Sequence, residues 1–384
     1  MKNFLKRFIT VFLCFVLAAG VFMPAKAQNI NEIQLTEETV YVTDSRLLGV
    51  AGPMPGDEQD YLTAWEDAVS AVRQGLESRQ NSIVVAFATE EHRDQLEWDI
   101  LQEALSHTGE PTQGDYLRWQ LGGYRLSTSQ YSAGGRYYLT ITYKPRYYTT
   151  AEQETQLDAA VKNVLDQLDV YDATDYEKVC AVYDYICNNV EYDYEGLATP
   201  ENKLIYTAYA ALINGKSVCQ GYANLFYRLM LELDVDARIV TGIGNDGAHG
   251  WNIVQLDGKY YNLDATWDAP RAQYGVEYDY FLRTQADFED HSRDEEFLSA
   301  EFMAAYPMAE ANYTPSTQAV VGDLDGDRAV TRNDVIRLLL YVTLPDRFPV
   351  SGEVDFNGDG QVTRDDVIRL LLHVTLPGRF PLTA

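Results

Sequence analysis

The chain has 384 residues, 46% of them hydrophobic, with 58 acidic side chains against 30 basic ones and a formal net charge of −28. A surface this acidic is repelled by phosphate backbones and anionic lipid, which argues against nucleic-acid partners and membrane surfaces. At roughly 100–200 residues per domain, the length calls for two or three domains.

The first residues have the pattern of an export signal. Lys2, Lys6 and Arg7 precede an apolar run from Phe8 to Met23, and Ala25, Lys26 and Ala27 form a small-residue cleavage site. The run is short for a bilayer span, which takes about 20 apolar residues. The expectation is a signal peptide at 1–27 and a secreted, extracellular protein without membrane insertion. Three cysteines follow: Cys180, Cys187 and Cys219. An odd number outside the cytoplasm leaves at least one thiol free or paired between chains. Cys180 and Cys187 share one face of an expected helix. Their Cα atoms are about 10 Å apart at a rise of about 1.5 Å per residue, beyond the reach of about 7 Å for a disulfide. They read as small buried hydrophobes, and pairing of either with Cys219 stays open.

In chain order, residues 28 to about 60 are mixed and Gly/Pro-punctuated. From about 61 to 168 the pattern is α/β, and 28–168 is taken as a lead-in domain. "YLTAWEDAVSAVRQGL" is helical, "SIVVAF" is a buried strand, and "TEEHRDQLEWDILQEAL" is a helix with Thr89 as its cap. "YRLSTSQYSAGGRYYLTITYK" reads as a hairpin turning at Gly134 and Gly135. "AEQETQLDAAVKNVLDQL" is a further helix. His92 and His107 fall on or near a charged helix and are expected to be solvated.

Within 169–308 lies "NGKSVCQGYANLF". Gly215 ends the preceding helix, and Ser217 with Gln220 fits an S-x-x-Q capping box, making Cys219 the second helical residue. The positive end of the helix dipole favours a thiolate there. A nucleophile also needs a base, and "AHGWNIVQLDGKYYNLDATWD" supplies a candidate. Asp257-Gly258 is a two-residue hairpin turn that pairs Leu256 with Lys259. In that register His249 and Asp264 are diagonal neighbours on one sheet face, about 7–8 Å apart at the backbone. Asp264 could then orient His249, and His249 could take the Cys219 proton. A loop one residue longer would separate them.

"SVCQGYANLF", "AHGWNIV" and "YYNLDATWD", in that order, resemble the transglutaminase-like superfamily of papain-like enzymes, over about 169 to 307. The resemblance implies an α+β catalytic domain whose catalytic residues fall on Cys219, His249 and Asp264, acting on a protein or peptide substrate without a cofactor. The Cys219 N–H is the natural oxyanion donor, and Tyr206 or Tyr209 is a candidate second donor. His291 could cap or line the site, outside the triad. The implied reaction is acyl transfer through a thioester, resolved by water in a peptidase-like hydrolase or by an amine in a transglutaminase-type cross-linker. A non-catalytic binding component is the rival reading.

A linker-like stretch at 309–320 precedes a repeat. "RNDVIRLLLYVTLPDRFPV" at 332–350 recurs as "RDDVIRLLLHVTLPGRFPL" at 364–382. Each copy follows a 12-residue acidic loop with oxygen ligands at the spacing of calcium sites. In the first loop these are Asp323, Asp325, Asp327, Thr331 and Asp334, with the Ala329 carbonyl. In the second they are Asp355, Asn357, Asp359, Thr363 and Asp366, with the Gln361 carbonyl. Both end in Asp rather than the Glu of an EF-hand. Arg328 stands in loop one where loop two has Gly360, which weakens the first site. Val335, Leu338, Leu339 and Val342 mark the apolar helix face expected to meet the other repeat. Residues 321–384 resemble a type I dockerin. That implies a small all-α module binding two Ca2+ ions and docking to a cohesin on a scaffolding protein, as in cellulosome-like assemblies. Its implied partner contacts fall on Arg332, Asn333, Arg364 and Asp365.

Overall fold

The computed structural model describes residues 37–39, 61–199, 201–245, 247–272, 274–275, 277–315, 321–324, 330–345, 347–350 and 354–382. The expected signal peptide lies outside these residues, as do 316–320 of the linker and 325–329 of the first acidic loop. Among the described residues no helix is long and apolar enough to cross a membrane.

The first core is built on β1 (Glu37–Thr39), α1 (Trp65–Glu77), β2 (Ile83–Thr89), α2 (Leu96–Ala104), α3 (Asp115–Arg118), β3 (Leu121–Ala133) and β4 (Arg136–Tyr147). The sheet order is β1-β3-β4-β2. Only β1 is parallel to its neighbour; the rest is antiparallel. The hairpin expected from the sequence organises this sheet, with helices packed against it. Gly134 and Gly135 turn it with φ of 60° and 81° between paired Ala133 and Arg136, the left-handed pair a two-residue turn requires. Leu126, Leu139, Ile141 and Tyr143 alternate inward against Val69, Val72, Ile100 and Leu101. Thr89 does not cap α2. It pairs with Tyr137 as the last residue of β2, and the helix starts after Gln95.

The second core begins with α4 (Ala151–Leu168), capped by a Thr150–Gln153 box. Its Leu157, Val161 and Leu165 pack with the elements that follow, so this helix joins the second core ahead of residue 168. Then come α5 (Asp175–Asn189), β5 (Glu191–Tyr192), α6 (Tyr194–Leu197), α7 (Ala208–Ile213), β6 (Lys216–Ser217) and α8 (Cys219–Glu232). β7 (Ala237–Gly244), β8 (Gly247–Leu256), β9 (Lys259–Leu263), α9 (Ala265–Ala272), β10 (His291–Arg293) and α10 (Ala300–Ala305) complete it. Its sheet is antiparallel throughout, in the order β10-β7-β8-β9. Helix α8 is central: every residue from Cys219 to Leu231 is buried.

A polar seam joins the two cores. Arg238 donates to both oxygens of Asp115 at 2.7 and 3.0 Å, and the Ile239 N–H adds a third bond at 2.9 Å. Beside it, His107 lies between the Tyr227 hydroxyl (3.0 Å) and Asp236 (2.9 Å). His107 is therefore part-buried, not solvated as expected, because Asp236 lies within hydrogen-bond reach.

Beyond the linker, α11 (Arg332–Thr343) and α12 (Arg364–Thr375) meet through Val335, Leu338, Val367 and Leu370. Leu339, expected in that contact, is 43% exposed, as is its counterpart Leu371. Two short helices cover one face of each other, and the adjacent stripe of Ile336, Leu339, Ile368 and Leu371 stays outside.

Removing one member of a buried ion pair leaves the other charge uncompensated. Asp115→Ala should therefore cost about 3–5 kcal/mol of unfolding free energy by denaturant titration. A loss below about 1 kcal/mol, the size of an exposed pair, would mean the seam does not hold the cores together.

Candidate active site

Asp257 and Gly258, with φ of 52° and 74°, turn β8 into β9. The ladder runs from Leu256↔Lys259 to Asn252↔Leu263 without a slip. This is the register read from the sequence, and its consequence is visible. His249 Nε2 lies 2.7 Å from Asp264 Oδ2, with both side chains buried. Asp264 follows the last residue of β9 and opens α9. Its Oδ1 accepts the N–H groups of Thr266 (2.9 Å) and Trp267 (3.4 Å), as an N-cap does.

Cys219 is the first residue of α8 and is 7% exposed. The expected capping box is not formed. Val218 is the N-cap residue, without a side-chain cap bond. Gln220 instead donates to the Trp119 carbonyl, just past α3, and the Ser217 hydroxyl is buried without a partner. Backbone bonds fix the approach to the cysteine: Asp193 N–H to Ser217 O (3.0 Å), Glu191 N–H to Gly215 O (2.8 Å) and Val218 N–H to Ile205 O (3.1 Å). Cys219 sits at the positive end of a long buried helix, where the first N–H groups have no intrahelical acceptor. A Cβ on Gly221 would come within 2.7 Å of Ser217 Cβ and 2.9 Å of the Thr207 carbonyl, so only glycine permits this tight start.

The His249 imidazole is held by Asp264 and lies close enough to feel the Cys219 side chain. Burial alone would lower its pKa. The Asp264 charge and hydrogen bond, with Cys219, outweigh burial and raise it to about 10. Asp264 responds in the opposite sense. Burial would raise its pKa, but His249 and His291 hold the carboxyl well below the usual carboxylate range. The chemistry available is that of a thiol and an imidazole sharing one proton at a helix N-terminus, with Asp264 favouring the proton on the ring, from which it can pass to an incoming group.

The two tyrosine candidates separate. Tyr206 is close enough for a Cys219 charge to raise its pKa, after burial. Tyr209 turns away and donates to Gln156 at 2.7 Å. Sequence reading missed Tyr192, which burial and then the Cys219 charge affect in the same way. Only the two-residue parallel pairing of β5 with β6, Tyr192↔Ser217, brings it there. Cys219 is a free thiol, so pairing with Cys180 or Cys187 is not made. Cys187 is buried, its thiol 3.7 Å from the Ala265 carbonyl, as a packing residue would be. His291, expected near the site, is buried with Nε2 at 3.2 Å from Asp264 Oδ2.

His249, Asp264 and His291 are the one cluster among the described residues compact enough to hold a metal, with ligand atoms within 4.8 Å. Their spacing is that of hydrogen-bonded neighbours, which accounts for the approach without an ion.

Comparison with known proteins bears on this geometry. Residues 162–265 match the core of the transglutaminase-like superfamily. The chain carries a transglutaminase-like domain. A curated human relative, "Kyphoscoliosis peptidase", is 29% identical over 168 residues, covering 38% of this chain and 25% of that protein. Its mouse counterpart is 30% identical over 141 residues, covering 32% and 21%. The chain thus spans a quarter or less of these relatives' length. A solved structure described as "Crystal structure of a TGase" has 16% identity and a TM-score of 0.28, covering 50% of this chain and 56% of the other. The match to the transglutaminase-like domain begins inside α4, the helix that the second core already contains.

The C-terminal candidates lie elsewhere. In loop two, Asp355 accepts the N–H groups of Gly358, Asp359 and Gly360, and Asn357 accepts that of Asp359. Asp366 accepts from Asn357 and Thr363, capping loop and helix together. Asp334 does the same for Leu324 and Thr331 in loop one. Gly360 has φ of 81°, a conformation that favours glycine. Asp325, Asp327, Arg328 and Ala329 lie outside the described residues. Arg332, Asn333, Arg364 and Asp365 are all exposed at their helix starts.

The His249 value in the fold exceeds the ordinary one. Its stabilisation is complete below about pH 6.5 and is lost as pH rises through about 10. Thermal melting of the wild type should therefore fall more steeply between about pH 7 and 10.5 than that of Asp264→Asn. Parallel curves would mean that the charged pair does not exist.

Proposed function

We propose that this chain is a secreted cysteine acyl-transfer enzyme, peptidase-like in outcome, carried to a scaffold by a calcium-binding C-terminal module. The observation that carries the enzymatic reading is the 2.7 Å His249–Asp264 contact, buried beside the free thiol of Cys219. Cys219 is the nucleophile, His249 the base and Asp264 the group that orients and charges the imidazole. The thiol proton passes to His249 as sulfur bonds to the substrate carbonyl carbon. The carbonyl oxygen becomes an oxyanion facing the Cys219 N–H. Collapse expels the amine, which takes its proton from His249, and leaves a thioester. Water, deprotonated by His249, resolves the thioester and regenerates the thiol.

An amine arriving in place of water would give cross-linking with the same residues. Hydrolysis is favoured here because the relatives matched along the domain are named as peptidases. The substrate class is a protein or peptide amide.

The accessory reading rests on the duplicated loops. Asp355, Asn357, Asp359, Thr363 and Asp366, with the Gln361 carbonyl, form an all-oxygen donor set that fits Ca2+, a hard cation. Asp323, Asp325, Asp327, Thr331, Asp334 and the Ala329 carbonyl are its counterpart. Bound calcium would neutralise the loop carboxylates and fix each helix start. The exposed Arg332, Asn333, Arg364 and Asp365 then face a cohesin-type partner.

Two measurements test these assignments. Iodoacetamide should label Cys219 at about pH 6, well below the free thiol value of about 8.5, and His249→Ala should abolish that advantage. A wild-type thiol with an ordinary profile would leave a non-catalytic binding component as the reading. Calorimetric titration should show two calcium sites, with Asp359→Ala weakening one by about 10-fold or more. No calcium uptake by the wild type would remove the docking module.

A further inference from the structure

Asp264 is approached by more than its expected partner. Its Oδ2 receives His249 Nε2 at 2.7 Å and His291 Nε2 at 3.2 Å, while its Oδ1 receives the N–H groups of Thr266 and Trp267. An ionised carboxylate offers about four lone-pair sites, and here each has a donor. Because that carboxylate can only accept, the His291 proton on this side must sit on Nε2. Nδ1 is then a lone pair, and it is buried without a hydrogen-bond partner.

That orphan is informative. The His291 ring lies among Phe288 (centroids 4.0 Å apart), Trp267 (4.2 Å) and Trp251 (4.9 Å), with Tyr280 at 5.6 Å. Such a cage would accept a phenylalanine with no buried polar atom left over. Histidine gains one thing that phenylalanine lacks, the Nε2–H aimed at Asp264. The strand that delivers it also depends on close approach. β10 pairs with β7 as His291↔Gly244, Ser292↔Ile243 and Arg293↔Gly242. A Cβ on Gly242 would collide with the Ser292 carbonyl, and one on Gly244 would press on Trp267 and His249.

We propose that His291 is a positioning residue for the Cys219–His249–Asp264 constellation, a neutral Nε2–H donor that holds Asp264 Oδ2 on the His249 ring. The proposal rests on the acyl-transfer reading of the site. Neutrality is required by the neighbourhood. The His249 centroid is 5.3 Å away, and a second imidazolium there would oppose the charge that Asp264 sustains on the first. The charged and titratable groups facing His291 are Asp264 at the start of α9, His249 on β8, Asp290 just before β10, and Tyr280, which donates to Asp290. Burial, assisted by His249, lowers the His291 pKa against the opposing pull of Asp264 and Asp290.

The test uses the full chain. In 15N-histidine NMR the His291 signal, assigned by its loss in His291→Gln, should stay a neutral Nε2–H tautomer from about pH 5.5 to 9. An Nδ1–H tautomer, or an imidazolium forming in that range, overturns the proposal, and both are read on the wild-type chain. The functional arm is the pH profile of iodoacetamide labelling at Cys219. His291→Phe keeps the packing and loses the donor, so its rate at about pH 6, relative to its own rate at about pH 9.5, should fall about 10-fold or more. His291→Gln, with an amide donor, should recover part of that loss. A His291→Phe profile that superimposes on the wild type overturns the positioning role while leaving the triad in place. An ordinary thiol profile in the wild type overturns the reading of the site, and this role with it.

Discussion

The buried carboxylate of Asp264 is the constraint around which the second core is arranged. It sits where β9 gives way to α9, so one residue ends a strand, starts a helix and aligns an imidazole. An unpaired anion at this depth would be untenable. Four N–H donors make it tolerable, two from the helix it caps and two from histidines on different strands. Those histidines fix β8 and β10 relative to α9, and β7 lies between the two strands. Chemistry and architecture therefore draw on the same charge. A substitution at Asp264 would remove a cap, two cross-sheet bonds and the raised basicity of His249 in one step.

The nucleophile side is built independently and meets this carboxylate only through His249. Helix α8 is buried along nearly its whole length, so its position is set by packing rather than by local propensity. Its first turn is tied to three other segments: Val218 to Ile205, Ser217 to Asp193, and Gln220 to Trp119. The last of these lies just past α3, and the Asp115–Arg238 pair clamps the same region onto β7. The segment preceding the transglutaminase-like domain therefore works as a buttress for the helix start that presents Cys219. It is more than a spacer.

How much of this was legible in the sequence follows from the range of each interaction. The β8–β9 register could be read because the Asp257-Gly258 turn determines it within four residues, and the His249–Asp264 contact follows from register alone. The Gly134-Gly135 hairpin and α1 were readable for the same local reason. Where the partner lay far along the chain, local pattern misled. Ser217 and Gln220 have the spacing of a capping box, yet Gln220 goes to Trp119, a residue no local rule connects with it. Thr89 looks like a helix cap but is claimed by the ladder with Tyr137. His107 stands in a polar stretch and is taken in by Tyr227 and Asp236. Tyr192 reaches the cysteine by a two-residue strand too short to announce itself.

The same distinction separates the C-terminal repeat from the candidate active site. The C-terminal repeat is local in character: each acidic loop occupies 12 consecutive residues, and Asp334 or Asp366 closes loop and helix through bonds spanning at most 10 residues. Its form can be read in one pass, and its exposed stripe of Ile336, Leu339, Ile368 and Leu371 follows from two short helices having one face each to share. The candidate active site is non-local. Cys219, His249, Asp264 and His291 come from α8, β8, the β9–α9 junction and β10, and none of their contacts survives separation of those elements. Loss of packing in the second core would therefore abolish the site while leaving the acidic loops intact. Charge changes in the loops, conversely, have no listener among the four residues around the Asp264 carboxylate.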